Sequence, residues 1–201
     1  MKKLIVLEGP DGLGKTTHSK MLAEKFNANI IRQPSTDNCV SFIRELTKQD
    51  LGLSGFERQL LISLSHCVDA FTKFNNEENI VMDRSWLSGP VYGKLTGVDP
   101  SRLVLLETAL SSIYQRAIEP KYQVSIFILT ADNRFNNTDD SVFERQIKWK
   151  DLDTEYRSLH KRLTGGVHAF SSEEQVYLID VTGKTKEQVQ TTMLEQLDGT
   201  Q

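Results

Sequence analysis

Five short apolar runs alternate along the chain with longer stretches in which apolar residues recur at helical spacing. The runs cover residues 3–7, 29–32, 79–82, 124–130 and 175–181. Strands that alternate with helices in this way are typical of a parallel sheet that is covered by helices on both faces. We therefore predict an α/β fold with three layers, α/β/α, around a five-stranded parallel sheet.

Two long helices are predicted between these runs. One begins at the capping-box sequence Ser54-Gly-Phe-Glu57 and extends to about residue 74; the other begins at Asp99-Pro100 and extends to about residue 117. We expect the apolar stripe of each helix to pack in the core, although part of the first stripe could bury a dimer face. The first stripe is Leu60, Leu61, Leu64, Cys67, Val68 and Phe71, and the second is Leu103, Leu106, Leu110 and Ile113.

The remaining helical patterns are shorter or more polar. They cover residues 18–26, 37–47, 85–96 and 141–163, and a capped helix begins at Thr185. Residues 163–174 contain Gly165-Gly166 and are predicted to form an exposed loop.

A complete phosphate-binding loop pattern, Gly9-x4-Gly14-Lys15-Thr16, lies between the first strand and the first helix. Its glycines allow backbone N–H groups to approach phosphate oxygens at the positive end of a helix. Lys15 would contact the β- and γ-phosphates, and the Thr16 hydroxyl would ligate Mg²⁺. The motif predicts binding of a nucleoside triphosphate without saying how it is used. The predicted contacts come from Gly9, Gly12, Leu13, Gly14, Lys15, Thr16 and Thr17.

Charged residues follow the second and third strands, where parallel sheets bind their ligands. Asp83 ends the third strand and is a predicted Mg²⁺ ligand, directly or through water. Arg84 follows it and would offset the charge that develops on a transferring phosphoryl group. Arg32 ends the second strand and could hold a phosphate, but by position alone it could equally be a solvated charge.

The last two strands are followed by segments that could contact ATP. The polar sequence after residue 131 predicts a short lid over residues 132–150, in which Arg134 and Arg145 would close over the phosphates and exclude water. Lys184 lies in the loop after the fifth strand, and this loop could border the adenine base.

The composition is that of an ordinary globular protein. The 201 residues carry a net charge of −3, with 38% apolar and 25% charged residues, and we expect one domain over residues 1–201. Because this charge creates no polybasic field, we expect neither stable nucleic-acid binding nor membrane attachment. Cys39 and Cys67 form no CxxC pair, and the four histidines form no metal cluster. Together with an N-terminus that lacks a signal-peptide layout, these features predict a cytoplasmic protein.

These motifs together resemble the thymidylate kinase family, within the P-loop nucleoside monophosphate kinases. The sequence from Leu7 to Thr17 is similar to the family's first motif, whose acid, here Asp11, lies near the sugar 3′-hydroxyl of the monophosphate. Arg32-Gln-Pro34 resembles the family's Arg-Glu-Pro, whose arginine contacts the acceptor phosphate. The family's Asp-Arg-Tyr-x-x-Ser-x-x-Ala-Tyr-Gln is matched at Asp83, Arg84, Ser88 and Tyr92.

The resemblance implies a P-loop kinase fold that uses ATP and Mg²⁺ and forms a homodimer through the helix at residues 54–74. The spacing of Glu144 and Tyr156 matches the family's lid helix. The implied catalytic residues are Lys15, Asp11, Arg84 and Asp83. The implied contacts to the monophosphate come from Asp11, Arg32, Ile62, His66, Arg84, Ser88 and Tyr92.

Several positions depart from the family pattern, mostly where the base would bind. Ile62 replaces a phenylalanine that stacks on the base, and His66 replaces an arginine that reads thymine. Gly93 replaces a glutamine, and Ser85 replaces a tyrosine or histidine. The resemblance thus implies retained phosphate and magnesium chemistry with altered base reading, while spacing alone would equally allow His66 to be a buried, hydrogen-bonded residue.

Three functions fit the sequence. The favoured one is a nucleoside monophosphate kinase, with dTMP as the first choice of acceptor. The second is a deoxynucleoside kinase that phosphorylates a 5′-hydroxyl, since Asp83-Arg-Ser85 also resembles that family, although Arg32-Gln33 argues against it. The third is a nucleotide-binding module without catalytic activity.

Overall fold

The computed structural model describes residues 1–35, 37–49, 51–74, 78–133 and 147–199. Its five strands form one parallel sheet in the order β2-β3-β1-β4-β5, which confirms the predicted sheet. The strands are β1 Lys2–Glu8, β2 Ala28–Arg32, β3 Asn79–Asp83, β4 Tyr122–Thr130 and β5 Gln175–Asp180.

Helices cover both faces of this sheet. They are α1 Lys15–Phe26, α2 Phe42–Lys48, α3 Gly55–Lys73, α4 Ser88–Leu95, α5 Pro100–Ile118, α6 Trp149–Thr164 and α7 Lys186–Asp198. Successive β1 side chains belong to different cores: Leu4 and Val6 pack with α3 to α6, whereas Ile5 and Leu7 pack with α1 and α7. A strand buried on both faces reads as one continuous apolar run, which is why β1 could be predicted. The three-layer prediction is confirmed.

The apolar stripe of α3 is the main correction to the predicted core. Leu60 and Leu64 are each 50% exposed, and Phe71 is 67% exposed. The helix instead buries a largely polar face: Arg58, Gln59, Ser63, Ser65, His66, Asp69 and Ala70. Polar groups can be buried in this way where they find hydrogen-bond partners, and a pattern of apolar positions carries no information about such partners.

Other boundaries and burials also differ from the prediction. In α5, Leu103 and Leu110 are buried as predicted. In the predicted exposed loop, however, Phe170 is fully buried, because its ring packs against those of Trp86 and Tyr114. The helix predicted from residue 141 begins at 149 in the structure, and residues 141–146 lie outside the described residues. Among the described helices, none is long and apolar enough to cross a membrane.

Candidate active site

The loop between β1 and α1 is shaped by glycines. Gly9, Gly12 and Gly14 have φ angles of 133°, 84° and 83°, in the region that favours glycine. At Gly9 a side chain would also overlap the backbone carbonyl oxygen of Leu129 in β4. Gly14 is the N-cap of α1, so the unpaired N–H groups of the first helical turn open at this loop. The loop therefore has the geometry of an anion-binding site.

Lys15 lies buried within this loop. Its Nζ donates to the carbonyl oxygen of Pro10 at 2.6 Å and lies 3.3 Å from Oδ1 of Asp11. The Leu13 side chain packs in the core, so only its backbone could contact a nucleotide, whereas Thr17 is exposed in the first turn of α1. The structure thus places a buried cation and its counter-charge at the predicted triphosphate site.

The two predicted metal ligands lie together although they are far apart in sequence. The Thr16 hydroxyl donates to Oδ2 of Asp83 at 2.7 Å, and Nε of Arg32 lies 3.6 Å from the same oxygen. No cluster of three or more His, Cys, Asp or Glu side chains suited to a metal occurs within the described ranges. A hydroxyl and one carboxylate nevertheless fit Mg²⁺, which commonly takes few protein ligands and completes its shell with phosphates and water.

Arg84 joins three parts of the fold. Its backbone is left-handed, with φ 71°, a strained conformation for a residue other than glycine. Its guanidinium donates to the hydroxyls of Ser88, Tyr92 and Tyr156 at 3.0, 3.2 and 2.9 Å, and it also pairs with Asp11. One cation therefore ties the phosphate-binding loop to α4 and α6. Sequence reasoning assigned no site role to Tyr156, whose only signal was its spacing from residue 144.

Glu8 is fully buried beneath Arg84 and was missed as a site residue. Its Oε1 accepts hydrogen bonds from the backbone N–H and the hydroxyl of Ser85, at 2.7 and 2.6 Å, and its Oε2 accepts one from Ser88 at 2.7 Å. Burial raises the pKa of Glu8, whereas the charge of Arg84 and these hydrogen bonds lower it. Ser85 is therefore a structural partner of Glu8. A charged residue at the end of an apolar strand was the available signal.

A second arginine accompanies Arg32. Nη1 of Arg44, in α2, donates to the carbonyl oxygen of Pro34 at 2.8 Å. Burial and the charge of Arg32 lower the pKa of Arg44, while Asp83, Glu45 and Asp11 act in the opposite direction. Arg44 therefore interacts electrostatically with Arg32 and with the acids Asp83 and Asp11. Sequence reasoning missed Arg44, because an arginine in a short amphipathic helix has no distinctive signal.

The sequence model of the family described as thymidylate kinase matches residues 7–192 of the chain. The chain belongs to the thymidylate kinase family. A probable thymidylate kinase of Methanocaldococcus jannaschii is 30% identical, over 92% of this chain and 90% of that protein. A probable thymidylate kinase of Methanococcus vannielii is 29% identical, over 94% of this chain and 92% of that protein. Family membership makes this protein a nucleoside monophosphate kinase that takes ATP as the phosphoryl donor.

Solved structures share the fold at low identity. The thymidylate kinase of Candida albicans superposes with a TM-score of 0.73 and 21% identity, covering 98% of this chain and 92% of that one. The thymidylate kinase of Ehrlichia chaffeensis superposes with a TM-score of 0.71 and 18% identity, and 98% of each chain is covered. A deoxyadenosine kinase from M. mycoides with bound dATP superposes with a TM-score of 0.66 and 18% identity, covering 98% of this chain and 99% of that one. The fold is therefore common to thymidylate kinases and a deoxynucleoside kinase.

The two positions of α3 expected to read the base line a small cavity between α3, α4 and α5. His66 is buried, and burial lowers its pKa to about 3, so its ring is neutral. Its Nδ1 and the Nε1 of Trp86, which lines the same cavity, have no hydrogen-bond partner in the described part of the chain. The cavity is lined in part by Ile62, His66, Trp86, Gly89, Pro90 and Leu110.

Gly93 serves helix packing. A side chain at this position would come within 2.5 Å of Cδ2 of Leu103 in α5 and 3.5 Å of Cγ of Gln59 in α3. The family's glutamine is therefore replaced by the residue that lets α4 approach α5 closely. By contrast, Ser88 and Tyr92, one turn apart on the other side of α4, contact Arg84 as described above.

The predicted ATP contacts beyond the phosphate-binding loop are only partly described. Lys184 is exposed, and its backbone N–H donates to the carbonyl oxygen of Val181 in the turn after β5, at the same edge of the sheet as the loop. Arg134 and Arg145 lie outside the described residues, as does Glu144. Arg157 of α6, which was not singled out, pairs with Asp153 at 2.6 Å near the end of β5.

Proposed function

We propose that the protein transfers the γ-phosphoryl group of ATP to dTMP, which yields dTDP and ADP. The observation that carries this proposal is the bridge made by Arg84, which contacts Asp11 of the phosphate-binding loop and three hydroxyls of the acceptor side. A cation between donor and acceptor can offset the charge of a transferring phosphoryl group.

The other residues take roles that suit their positions. Lys15 would contact the β- and γ-phosphates, and Thr16 and Asp83 would hold Mg²⁺, which would neutralise phosphate charge when bound. Arg32 and Arg44 would hold the acceptor phosphate, and Asp11 would lie near the sugar 3′-hydroxyl. An oxygen of the acceptor phosphate is itself the nucleophile, so these residues would act by positioning and electrostatics.

A 5′-hydroxyl acceptor is the second candidate, because the fold is shared with a deoxyadenosine kinase. That reaction requires a carboxylate to accept the hydroxyl proton. Glu8 is the buried carboxylate beside Arg84, but both of its oxygens already accept hydrogen bonds from Ser85 and Ser88, and it is closed to solvent. This arrangement favours the monophosphate as acceptor.

An ADP-release assay with ATP and Mg²⁺ tests this proposal. The acceptors are dTMP, dUMP, dCMP, dGMP, dAMP and the matching nucleosides. We expect turnover with dTMP and none with nucleosides. Preference for another monophosphate would overturn the dTMP assignment while keeping the enzyme class. Turnover with nucleosides alone would establish the second candidate, and ATP binding without any turnover would indicate a non-catalytic module.

We also propose a homodimer and a lid. Large apolar side chains are exposed on the neighbouring helices α3 and α5. A second copy of the chain covering this face would remove that apolar area from water. Sedimentation velocity should then show a species of twice the chain mass. The lid over residues 132–150, with Arg134 and Arg145, and the single kinase domain over residues 1–201 stay predictions.

A further inference from the structure

A polar stripe on α3 faces the chain that follows β2. Ser65, Asp69 and Lys73 are spaced one helical turn apart, so they lie on the same side of the helix. We call residues 33–35, 37 and 38 the acceptor segment, because it directly follows Arg32. The stripe contacts this segment at every turn.

The contacts are all hydrogen bonds or ion pairs. The hydroxyl of Ser65 accepts from the backbone N–H of Ser35 at 3.3 Å. Nζ of Lys73 donates to Oδ2 of Asp37 at 2.6 Å. Between them, Asp69 binds both ends of the segment.

Asp69 is completely buried, and each of its oxygens has a separate partner. Oδ1 accepts from Nδ2 of Asn38 at 2.9 Å, and Oδ2 accepts from Nε2 of Gln33. Burial raises the pKa of Asp69, and the hydrogen bonds and the charge of Lys73 oppose that rise. A fully buried carboxylate is costly unless its oxygens are hydrogen-bonded, so Asp69 holds the segment at its first and last residues.

The position of the acceptor segment fixes both arginines of the proposed phosphate site. Gln33 follows Arg32 directly, and its backbone N–H donates to the carbonyl oxygen of Asp83 at 3.0 Å. The next residue, Pro34, accepts the hydrogen bond from Arg44. A shift of this segment would therefore move Arg32 through the chain and Arg44 through its carbonyl partner.

We propose that Asp69 is a positioning residue for the acceptor phosphate, which acts by clamping the acceptor segment that orients Arg32 and Arg44. This inference rests on the proposed transfer to a monophosphate. Asp69 does not touch the reacting atoms, so its removal should weaken use of the acceptor and leave the donor site intact. Displaced arginines would hold the acceptor phosphate less tightly, which raises KM for the acceptor.

The test compares KM values in the Asp69→Leu variant. We expect KM for dTMP to rise by about 10- to 100-fold, with KM for ATP and kcat within about twofold of wild type. Asp69→Asn should give a smaller rise, because Oε1 of Gln33 has no partner in the described residues and its amide can turn to accept from the new side chain. Equal rises in both KM values, or a loss of thermal stability with both KM values unchanged, would overturn the proposal.

Two further variants separate positioning from general stability. Glu174 is a partly buried carboxylate that accepts backbone N–H groups of Ala169, Phe170 and Ser171. Glu174→Gln should lower Tm and leave both KM values unchanged. If Asp69→Leu fails to fold, Gln33→Leu removes one of the same hydrogen bonds from the other side. It should likewise raise KM for dTMP and leave KM for ATP unchanged. Unchanged values of both would overturn the proposal.

Moving the carboxylate from position 69 to position 33 should rescue binding of the acceptor. The double variant Gln33→Glu with Asp69→Asn keeps a carboxylate–amide hydrogen bond in the same place with its partners exchanged. Its KM for dTMP should return most of the way from the raised value of Asp69→Asn to that of wild type, and a KM no lower than that of the single variant would contradict the clamp. Wild-type turnover on the panel is measured in the same experiment. Absence of wild-type turnover would refute the proposed function, whereas the ratio of the variant's KM for dTMP to that of wild type tests the role of Asp69 alone.

Discussion

The donor and acceptor ends of this site are built in different ways. The donor end, residues 8–17, is one continuous stretch whose backbone forms the binding surface, with three glycines at positive φ. The acceptor end collects side chains from four separate elements, β2, α2, α3 and α4, which lie between residues 28 and 95. Recognition by backbone is therefore encoded locally, and recognition by side chains is encoded in the tertiary structure.

This difference determines what each end tolerates. A backbone loop depends on a few residues that no other type can replace, because their φ angles and close contacts exclude a Cβ. A side-chain site can exchange partners as long as hydrogen bonds are satisfied. Substitutions at the donor end should thus affect every substrate, and those at the acceptor end only the acceptor.

The largest effect is expected from Lys15→Ala. The buried ammonium would contact the β- and γ-phosphates, so its loss should lower kcat by at least about 10³-fold with any acceptor. The fold should persist, since Nζ of Lys15 bonds to Pro10 and Asp11 of the loop that carries it. The coupled ADP-release assay measures this loss, and circular dichroism verifies folding. Near-normal kcat would refute the role of the loop.

Gly9→Ala should have the next largest effect, on stability as well as ATP binding. The new Cβ would overlap the carbonyl oxygen of Leu129 at a φ of 133°, so we expect a loss of about 3 kcal/mol in the free energy of unfolding. Gly97→Ala is the matched control, because its φ is 76° but nothing lies within 4 Å of the added carbon. It should cost about 1 kcal/mol and leave KM for ATP unchanged. Urea titrations of both variants make the comparison, and equal losses would show that the close contact has no role.

The donor end could be predicted from the sequence because its geometry depends on a few neighbouring residues that no other type can replace. The motif from Gly9 to Thr16 specifies strand, turn and helix in order, and only Asp83 had to be added from elsewhere. Its pairing with Thr16 followed from the rule that ligands gather at the carboxyl ends of parallel strands. The sheet itself was also predictable, because strands buried on both faces are continuously apolar.

Arg32→Ala should act on the acceptor alone. Loss of a charge-assisted contact costs about 1.5–3 kcal/mol, which corresponds to an increase of about 10- to 100-fold in KM for dTMP. KM for ATP should stay within about twofold of wild type. If both arginines hold the phosphate, Arg44→Ala should also raise KM for dTMP and leave KM for ATP unchanged. Parallel changes of both KM values would remove the distinction between the two ends.

The acceptor end exposed the limits of periodicity. The pattern of Leu60, Leu64 and Phe71 predicted a core stripe, yet these residues are exposed. The opposite face is buried because Ser65 and Asp69 find partners in a segment about 30 residues earlier. Such partners become visible only after folding.

The smallest effect is expected at His66, from the pH dependence of stability. Its pKa is about 3 in the folded protein and near 6.5 when unfolded, so between these values the unfolded chain binds the extra proton. Stability should therefore fall as the pH drops from 6.5 toward 3, by at most about 1.4 kcal/mol per pH unit from this residue. His66→Leu should flatten this slope. Urea unfolding at pH 6.5, 5.5 and 4.5 measures it, and the difference between the two proteins isolates His66 because all other groups titrate in both. An unchanged slope would mean that the ring is accessible and charged, and hence able to act at the acceptor site as the family's arginine does.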